Sequence, residues 1–306
     1  ILNGIKKEAV PPKKLQQKKQ RIAKIACDLV GECIEKYPQV VGFELGGSYA
    51  KGTWVPEKPV DNVDIDIFVK FNKKTSEKDF RNIGTEIGFE SLKKYKPYTR
   101  HAEHPFVEAI IDGTRVNVVP CYDVNKGEWK SATDRSIYHT KFMLQKLSNS
   151  MKGDVRILKK FLQHIEVYGA EIAKEGFSGY VTEVLIFYFG SFEKTIKKIS
   201  ELKKGQVIGK STKKFDSFVV IIDPIDNNRN LGTAISIENL GKFVLASRAF
   251  LRNPSKNFFK KPISKRIMRN TDKIIVVQFK VKERSDDIVW GQIKRASNAL
   301  KTQLEL

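Results

Sequence analysis

Apolar positions alternate between helical and strand spacing in a definite order along the chain. Leu15, Ile22, Ile25, Ala26, Leu29, Cys33 and Ile34 recur every three or four residues. This predicts an amphipathic helix over 15–36, ended by Pro38. Residues 1–14 are basic, carry two prolines and read as an arm. Residues 40–45 read as a short strand, 48–53 as the start of a short helix, 63–71 as a second strand and 77–95 as a long amphipathic helix. Two apolar runs, 106–111 and 115–120, flank Asp112-Gly113. That dipeptide suits a tight two-residue turn, so a β-hairpin is expected.

From about 133 to 250 helical spacing dominates, with helices predicted at 154–164, 180–199 and 238–252. Ser178 is placed as the N-cap of the second. The apolar run 218–222 interrupts them and ends at Asp223-Pro224. Asn253-Pro254 and Lys260-Lys261-Pro262 form a basic linker, which puts a boundary near 255–265. A strand at 274–281 and a helix at 288–304 follow, together half of a domain. No internal repeat is visible. The expected class is α+β: a mixed-sheet domain at 1–130, a helical central domain at 131–257 and a partial α/β domain at 258–306.

Composition narrows the partners. The 306 residues are 41% apolar and 30% charged, enough for two or three domains with real cores. Lys and Arg number 56 against 35 Asp and Glu, a net charge of +21. Such an excess favours a polyanionic partner, most often nucleic acid. No run of eighteen apolar residues exists, so no membrane partner is expected. Cys27, Cys33 and Cys121 form no C-x-x-C pair, which points away from zinc and disulfides and toward a reducing cytoplasm. The sequence opens at Ile1 without Met or a signal-peptide pattern, as a fragment would.

The chemistry concentrates at 46–68. Gly46-Gly47-Ser48 is a phosphate-holding turn, and Val63-Asp64-Ile65-Asp66-Ile67 follows it. Strand side chains alternate, so Asp64 and Asp66 share one face while Val63, Ile65 and Ile67 share the other. Two like charges so placed must be solvated, paired or bound to metal. This turn with a downstream Asp-x-Asp resembles the polymerase β-like nucleotidyltransferases. In their chemistry two Mg²⁺ ions about 4 Å apart activate a hydroxyl for attack on an NTP and stabilise the departing pyrophosphate. Ser48 would contact the triphosphate, and Lys51, one helical turn on, would add positive charge.

Further segments sharpen the resemblance. Arg100-His101-Ala102-Glu103-His104-Pro105-Phe106, Val118-Val119-Pro120-Cys121-Tyr122, Phe177-Ser178-Gly179-Tyr180 and Asp223-Pro224-x-Asp226-x-x-Arg229-Asn230 occur in this order. From about residue 15 onward the chain resembles the archaeal-type (class I) CCA-adding tRNA nucleotidyltransferases. The resemblance implies a polymerase β-like palm, a helical central domain and a C-terminal region inside which this sequence stops. It implies template-independent addition of C, C and A to the 3′ end of tRNA, with CTP and ATP as substrates. The tRNA acceptor arm would be the partner; a homodimer is left open.

Residue by residue, the resemblance puts Asp64 and Asp66 on metal carboxylates. Ser48, Lys51, His139 and Lys159 fall on triphosphate-contacting positions, and Tyr168 on a nucleotide-contacting one. Arg229 falls on the arginine that helps read the incoming base, a role suited to its planar fork. His104 lies beside the active site, and Ser136 occupies a position that is often Thr. Taken singly, these His, Tyr and Lys residues would read as structural or solvated; the alignment is what makes them candidates.

One position departs from the family. Its third carboxylate is expected in a Val-Asp-Val-Val-Pro-Cys strand, and here the strand reads Val116-Asn117-Val118-Val119-Pro120-Cys121. Asn117 keeps the shape without charge or basicity, and its carbonyl is a weaker ligand for Mg²⁺. Asp112 would emerge on the opposite strand face, and Asp123 follows Pro120 and is hard to place. The expectation is retained CCA addition with a weakened or unusual third ligand; the alternatives are a poly(A)-type terminal nucleotidyltransferase and a catalytically silent tRNA-binding relative.

Overall fold

The computed structural model describes residues 1–56, 63–100, 105–260, 278 and 284–305. Its elements run α1 (Leu2–Ala9), α2 (Lys13–Ile34), β1 (Val40–Gly46), α3 (Gly47–Lys51), β2 (Ile65–Asn72), α4 (Glu77–Ser91), β3 (Tyr98–Arg100), β4 (Phe106–Ile111) and β5 (Thr114–Asp123). Then come α5 (Asp134–Lys146), α6 (Asn149–His164), α7 (Gly179–Phe189), α8 (Phe192–Ser200), β6 (Gln206–Ile208), β7 (Val219–Asp223), β8 (Asp226–Asn230), α9 (Ile237–Arg252) and α10 (Asp286–Leu304).

Five strands form one sheet in the order β1-β2-β5-β4-β3. Only β2 and β5 run parallel; the other pairs are antiparallel. The alternation in β2 divides its side chains as expected. Ile65, Ile67, Val69 and Phe71 are buried with Ile22, Ala26 and Val30 of α2 and with Phe80 and Ile87 of α4. On the opposite face Phe68 packs with Val119, Cys121 and Ile137, the last from α5. Asp66 lies on that second face, next to the apolar patch. The hairpin β4–β5 turns at Asp112-Gly113, where both residues have positive φ, 48° and 70°. That is the turn whose twist matches flanking strands.

A second core gathers α6–α9, and it is rich in rings. Phe161 touches Phe192, Phe243, Phe250, Phe258 and Phe259 at centroid separations of 5.7 to 6.1 Å. A three-stranded sheet, β6-β7-β8, borders this core. β7 is the interrupting apolar run; the apolar pattern predicts neither β6 nor β8.

Several expectations need correction. The arm at 1–14 instead contains helix α1, whose Ile5 and Ala9 are buried in the helical core. Its Lys6 pairs with Asp154 of α6 at 2.8 Å. The single helix at 180–199 is two. Gly190, at φ 86°, closes α7 in the left-handed conformation, and Ser191 caps α8 by accepting from the Lys194 N–H. The helix at 77–95 ends at Ser91 and continues as a single 3-10 turn. The strand starts at Ile65 rather than 63, so Asp64 precedes it. The strand predicted at 274–281 lies outside the described residues except Gln278, and His104 lies outside them as well. Among the described residues no helix is long and apolar enough to cross a membrane.

One buried lysine anchors the approach to Asp64. Lys19 of α2 is 0% exposed, and its ammonium donates to the Val63 carbonyl at 2.6 Å and to Thr114 Oγ1 at 3.2 Å. Lys19→Met keeps the apolar stem and strands that carbonyl. It is expected to lower the unfolding free energy by about 1–3 kcal/mol, read from urea unfolding; an unchanged midpoint would show that the carbonyl finds another donor.

Candidate active site

The Gly46-Gly47 turn brings backbone against a carboxylate. Gly47 has φ +67°, and a Cβ built there would lie 1.9 Å from Asp66 Oδ2. Only glycine fits, for both conformation and space. Ser48 follows in the first turn of α3. Parallel pairing of β2 with β5 sets Asp66 directly beside Asn117. The Asn117 Nδ2 donates to Asp66 Oδ1 at 2.8 Å. That bond fixes the amide, since the reverse orientation would set two oxygens against each other. It leaves Asn117 Oδ1 buried with no hydrogen-bond partner among the described residues. Asp64 accepts from Arg115 Nε at 2.6 Å.

A polar cavity of about 190 Å³ is lined by Ser48, Trp54, Val55, Val63, Asp64, Asp66, Lys159, Gln163 and Tyr168. It unites five of the nine residues singled out from the sequence. Asn117 joins them through Asp66. Lys51 does not line the cavity. Its ammonium is buried and donates to Glu183 Oε2 at 2.6 Å. Glu183 is 0% exposed, also accepts from Thr53 Oγ1, and lies 3.9 Å from Lys159 Nζ.

The other two candidates meet on a second carboxylate. Asp223 is fully buried and receives His139 Nε2 at 2.9 Å, Tyr180 Oη at 2.9 Å and Arg229 Nη1 at 3.0 Å. The His139 ring stacks on Tyr180 at 3.7 Å. Lys51 lies 5.5 Å from the same Tyr180 ring. His139 and Arg229 thus meet on Asp223, with Tyr180 beside them, and are not among the residues that line the cavity.

Sequence reasoning does not single out Glu183, Asp223, Tyr180 or Arg115 as site residues. Glu183 carries a signal all the same: it is a lone carboxylate in Val181-Thr182-Glu183-Val184-Leu185-Ile186, a run otherwise without charge. A carboxylate on such a buried face needs a cation.

Burial sets the electrostatics. It pushes the carboxyl of Asp66 upward; the Asn117 amide, Lys51 and Arg115 pull it back only partly, and Glu108 pushes it further up. Burial likewise raises Asp64 against the pull of Arg115. Lys159 is depressed to about 8 by burial, with Glu183 opposing. Burial lowers His139, which favours the neutral ring. Burial alone would raise Asp223, but its bonds from His139, Ile225 N–H and Tyr180 outweigh it and hold the group low.

Two carboxylates and an unpaired amide oxygen on one sheet face are hard donors of the kind Mg²⁺ takes. The orphaned Asn117 Oδ1 is the observation that favours a cation there. Among the described residues no three His, Cys, Asp or Glu side chains converge on one point.

Comparison with known proteins defines the class. Residues 26–139 match the family model described as a nucleotidyltransferase domain, and residues 153–260 match tRNA nucleotidyltransferase, second domain. The fold is shared with the Cid1 poly(U) polymerase solved with Mg and 3′-dATP bound (TM-score 0.62, 13% identity, 85% of this chain and 97% of that one). It is also shared with a cytoplasmic RNA terminal U-transferase (TM-score 0.61, 13% identity, 86% and 98%). The α+β fold is therefore that of a polymerase β-like nucleotidyltransferase.

Curated relatives narrow this to one family. The CCA-adding enzyme of Pyrobaculum islandicum is 35% identical over 98% of this chain and 71% of its own length. That of Methanocaldococcus jannaschii is 35% identical over 98% and 70%. That of Sulfurisphaera tokodaii is 38% identical over 85% and 62%. The chain belongs to the archaeal-type (class I) CCA-adding enzymes, and spans between 62% and 71% of the length of these relatives.

Two outcomes follow from the buried charges. Glu183→Gln leaves two ammonium groups without their counter-charge and is expected to cost roughly 3–5 kcal/mol of stability, measured by urea unfolding. Asp66→Asn should act in the opposite direction. A carboxyl raised on folding holds more protons in the folded chain than in the unfolded one, so stability falls as pH rises through its range. Removing that charge is expected to raise Tm by a few degrees at pH 7 in chelator. A lower Tm would mean that the ionised group is a net stabiliser.

Proposed function

We propose that this chain is a template-independent tRNA nucleotidyltransferase that adds CCA to the 3′ end of tRNA from CTP and ATP and releases pyrophosphate. The supporting observation is the convergence of Ser48, Asp64, Asp66, Lys159 and Tyr168 on one polar cavity beside Asn117. Membership of the CCA-adding family supports addition of CCA to tRNA.

In this reading Asp64, Asp66 and the free Asn117 oxygen hold Mg²⁺, two ions in all. When bound, Mg²⁺ makes the tRNA 3′-hydroxyl a better nucleophile and neutralises the leaving pyrophosphate. The Gly47 backbone and Ser48 receive the triphosphate, with Lys159 supplying charge from the facing helix. Lys51 acts one step removed, through the Glu183 carboxylate it shares with Lys159. Tyr168 offers a ring and hydroxyl to the nucleotide at the cavity edge. Arg229, whose side chain is 41% exposed, carries a guanidinium oriented by Asp223 and free on its outer edge to meet a base. His139 keeps that carboxylate in place. The basic surface takes the acceptor arm, and binding there weakens steeply with salt.

Asn117 has no charge with which to hold the ion near the attacking hydroxyl, so the rate is set below that of a family member with Asp. The test is incorporation of labelled CTP and ATP into tRNA transcripts lacking CCA. Three added nucleotides are expected, with Asn117→Asp faster by on the order of tenfold or more. A long ladder would instead identify a poly(A)-type transferase. Background incorporation by both forms would sink the assignment.

A further inference from the structure

One buried carboxylate stands apart from the cavity and its chemistry. Glu108 sits mid-strand in β4 and is 4% exposed. Among the described residues the Tyr98 hydroxyl donates to it, the Arg100 guanidinium stands at 3.8 Å, beyond hydrogen-bond range, and the Arg115 guanidinium interacts with it electrostatically. A buried carboxylate is costly unless paired, and of these partners only the phenol is seen to donate a hydrogen bond to it.

Its register gives the reason for its place. Glu108 is directly opposite Asn117 in the antiparallel β4–β5 pair. Asn117 is directly beside Asp66 in the parallel β5–β2 pair. Partners in register share a sheet face, so Asp66, Asn117 and Glu108 form one row across three strands. Adjacent members of such a row stand about 4.5–5.5 Å apart at Cβ. The central member, 6% exposed, holds the buried amide oxygen that has no partner among the described residues.

We propose that Glu108 supplies, from β4, the negative charge that Asn117 lacks on β5, completing the cation site around the free Asn117 oxygen. Glutamate is one methylene longer than aspartate, which suits a carboxylate reaching across from the neighbouring strand. In the structure Glu108 is turned to Tyr98 and does not converge with Asp64 and Asp66. A bound ion, or one of the waters that Mg²⁺ retains, competes with the Tyr98 hydroxyl for it. The inference rests on the metal-dependent reading of the site under Proposed function.

The experiment is Mn²⁺ titration of the full chain, followed by electron paramagnetic resonance and by Mn²⁺-dependent thermal shift. Glu108→Gln is expected to weaken Mn²⁺ binding at least about tenfold in the Asn117 chain and less than about threefold once Asn117→Asp is present. Glu108→Asp, which keeps the charge but withdraws it by a methylene, should also weaken binding. Tyr98→Phe should leave it unchanged or strengthen it. Unchanged Mn²⁺ affinity in Glu108→Gln, equal losses with and without Asn117→Asp, or a Tyr98→Phe loss matching that of Glu108→Gln would each overturn the role of Glu108 alone. Failure of the Asn117→Asp chain to bind Mn²⁺ would overturn the metal reading itself.

Discussion

Two ammonium groups from different parts of the chain are buried together, and the carboxylate of Glu183 makes this tolerable. Lys51 belongs to α3, beside the five-stranded sheet; Lys159 belongs to α6, in the helical core. Without a shared counter-ion the two would repel strongly in a low-dielectric interior. Thr53 Oγ1 donates to the same carboxylate, while Lys159 and Arg156 donate to the carbonyls of Thr53 and Gly52. The segment 51–53 is thereby clamped to α6. The cavity lies along that clamp, with Ser48, Asp64 and Asp66 on one wall and Lys159, Gln163 and Tyr168 on the other.

Much of this architecture is legible in the sequence. The alternation around Asp64 and Asp66, the Asp-Gly hairpin and the Gly-Gly-Ser turn are local signals, and each describes a local object. Features made by packing leave no such mark. α1 is short, basic and followed by prolines; its two buried residues, Ile5 and Ala9, become apolar anchors only because α6 lies beneath them. β8 is Asp-Asn-Asn-Arg-Asn, a strand with no apolar residue, held by pairing with β7 rather than by a hydrophobic face. The family pattern includes Asp223 beside Arg229 but does not reveal that His139 and Arg229 share its carboxylate. Asp223 lies 84 residues from His139 and six from Arg229, and only the fold brings the three together.

The site is built against its own charge. Asp64 and Asp66 are both pushed toward the protonated form by burial, and the neighbouring amide and guanidinium only partly compensate. Ionising these two carboxylates therefore costs the fold stability. Beside them the Asn117 amide has one end committed and the other open. The helical core shows the opposite economy, with rings interlocked and both oxygens of Glu183 and of Asp223 accepting hydrogen bonds.

The two-residue turn at Asp112-Gly113 carries a consequence of its own. It permits no slack between β4 and β5, so the hairpin acts as a ruler that assigns each β4 side chain an address on β5. A one-residue slip of β4 against β5 would flip the period-two pattern. Glu108 would then point into the apolar layer of α2 and α4, and Ala109 would face Asn117. The electrostatic character of this face is thus set by the register of two strands, fixed at their far end by a tight turn, as much as by the identity of the residues.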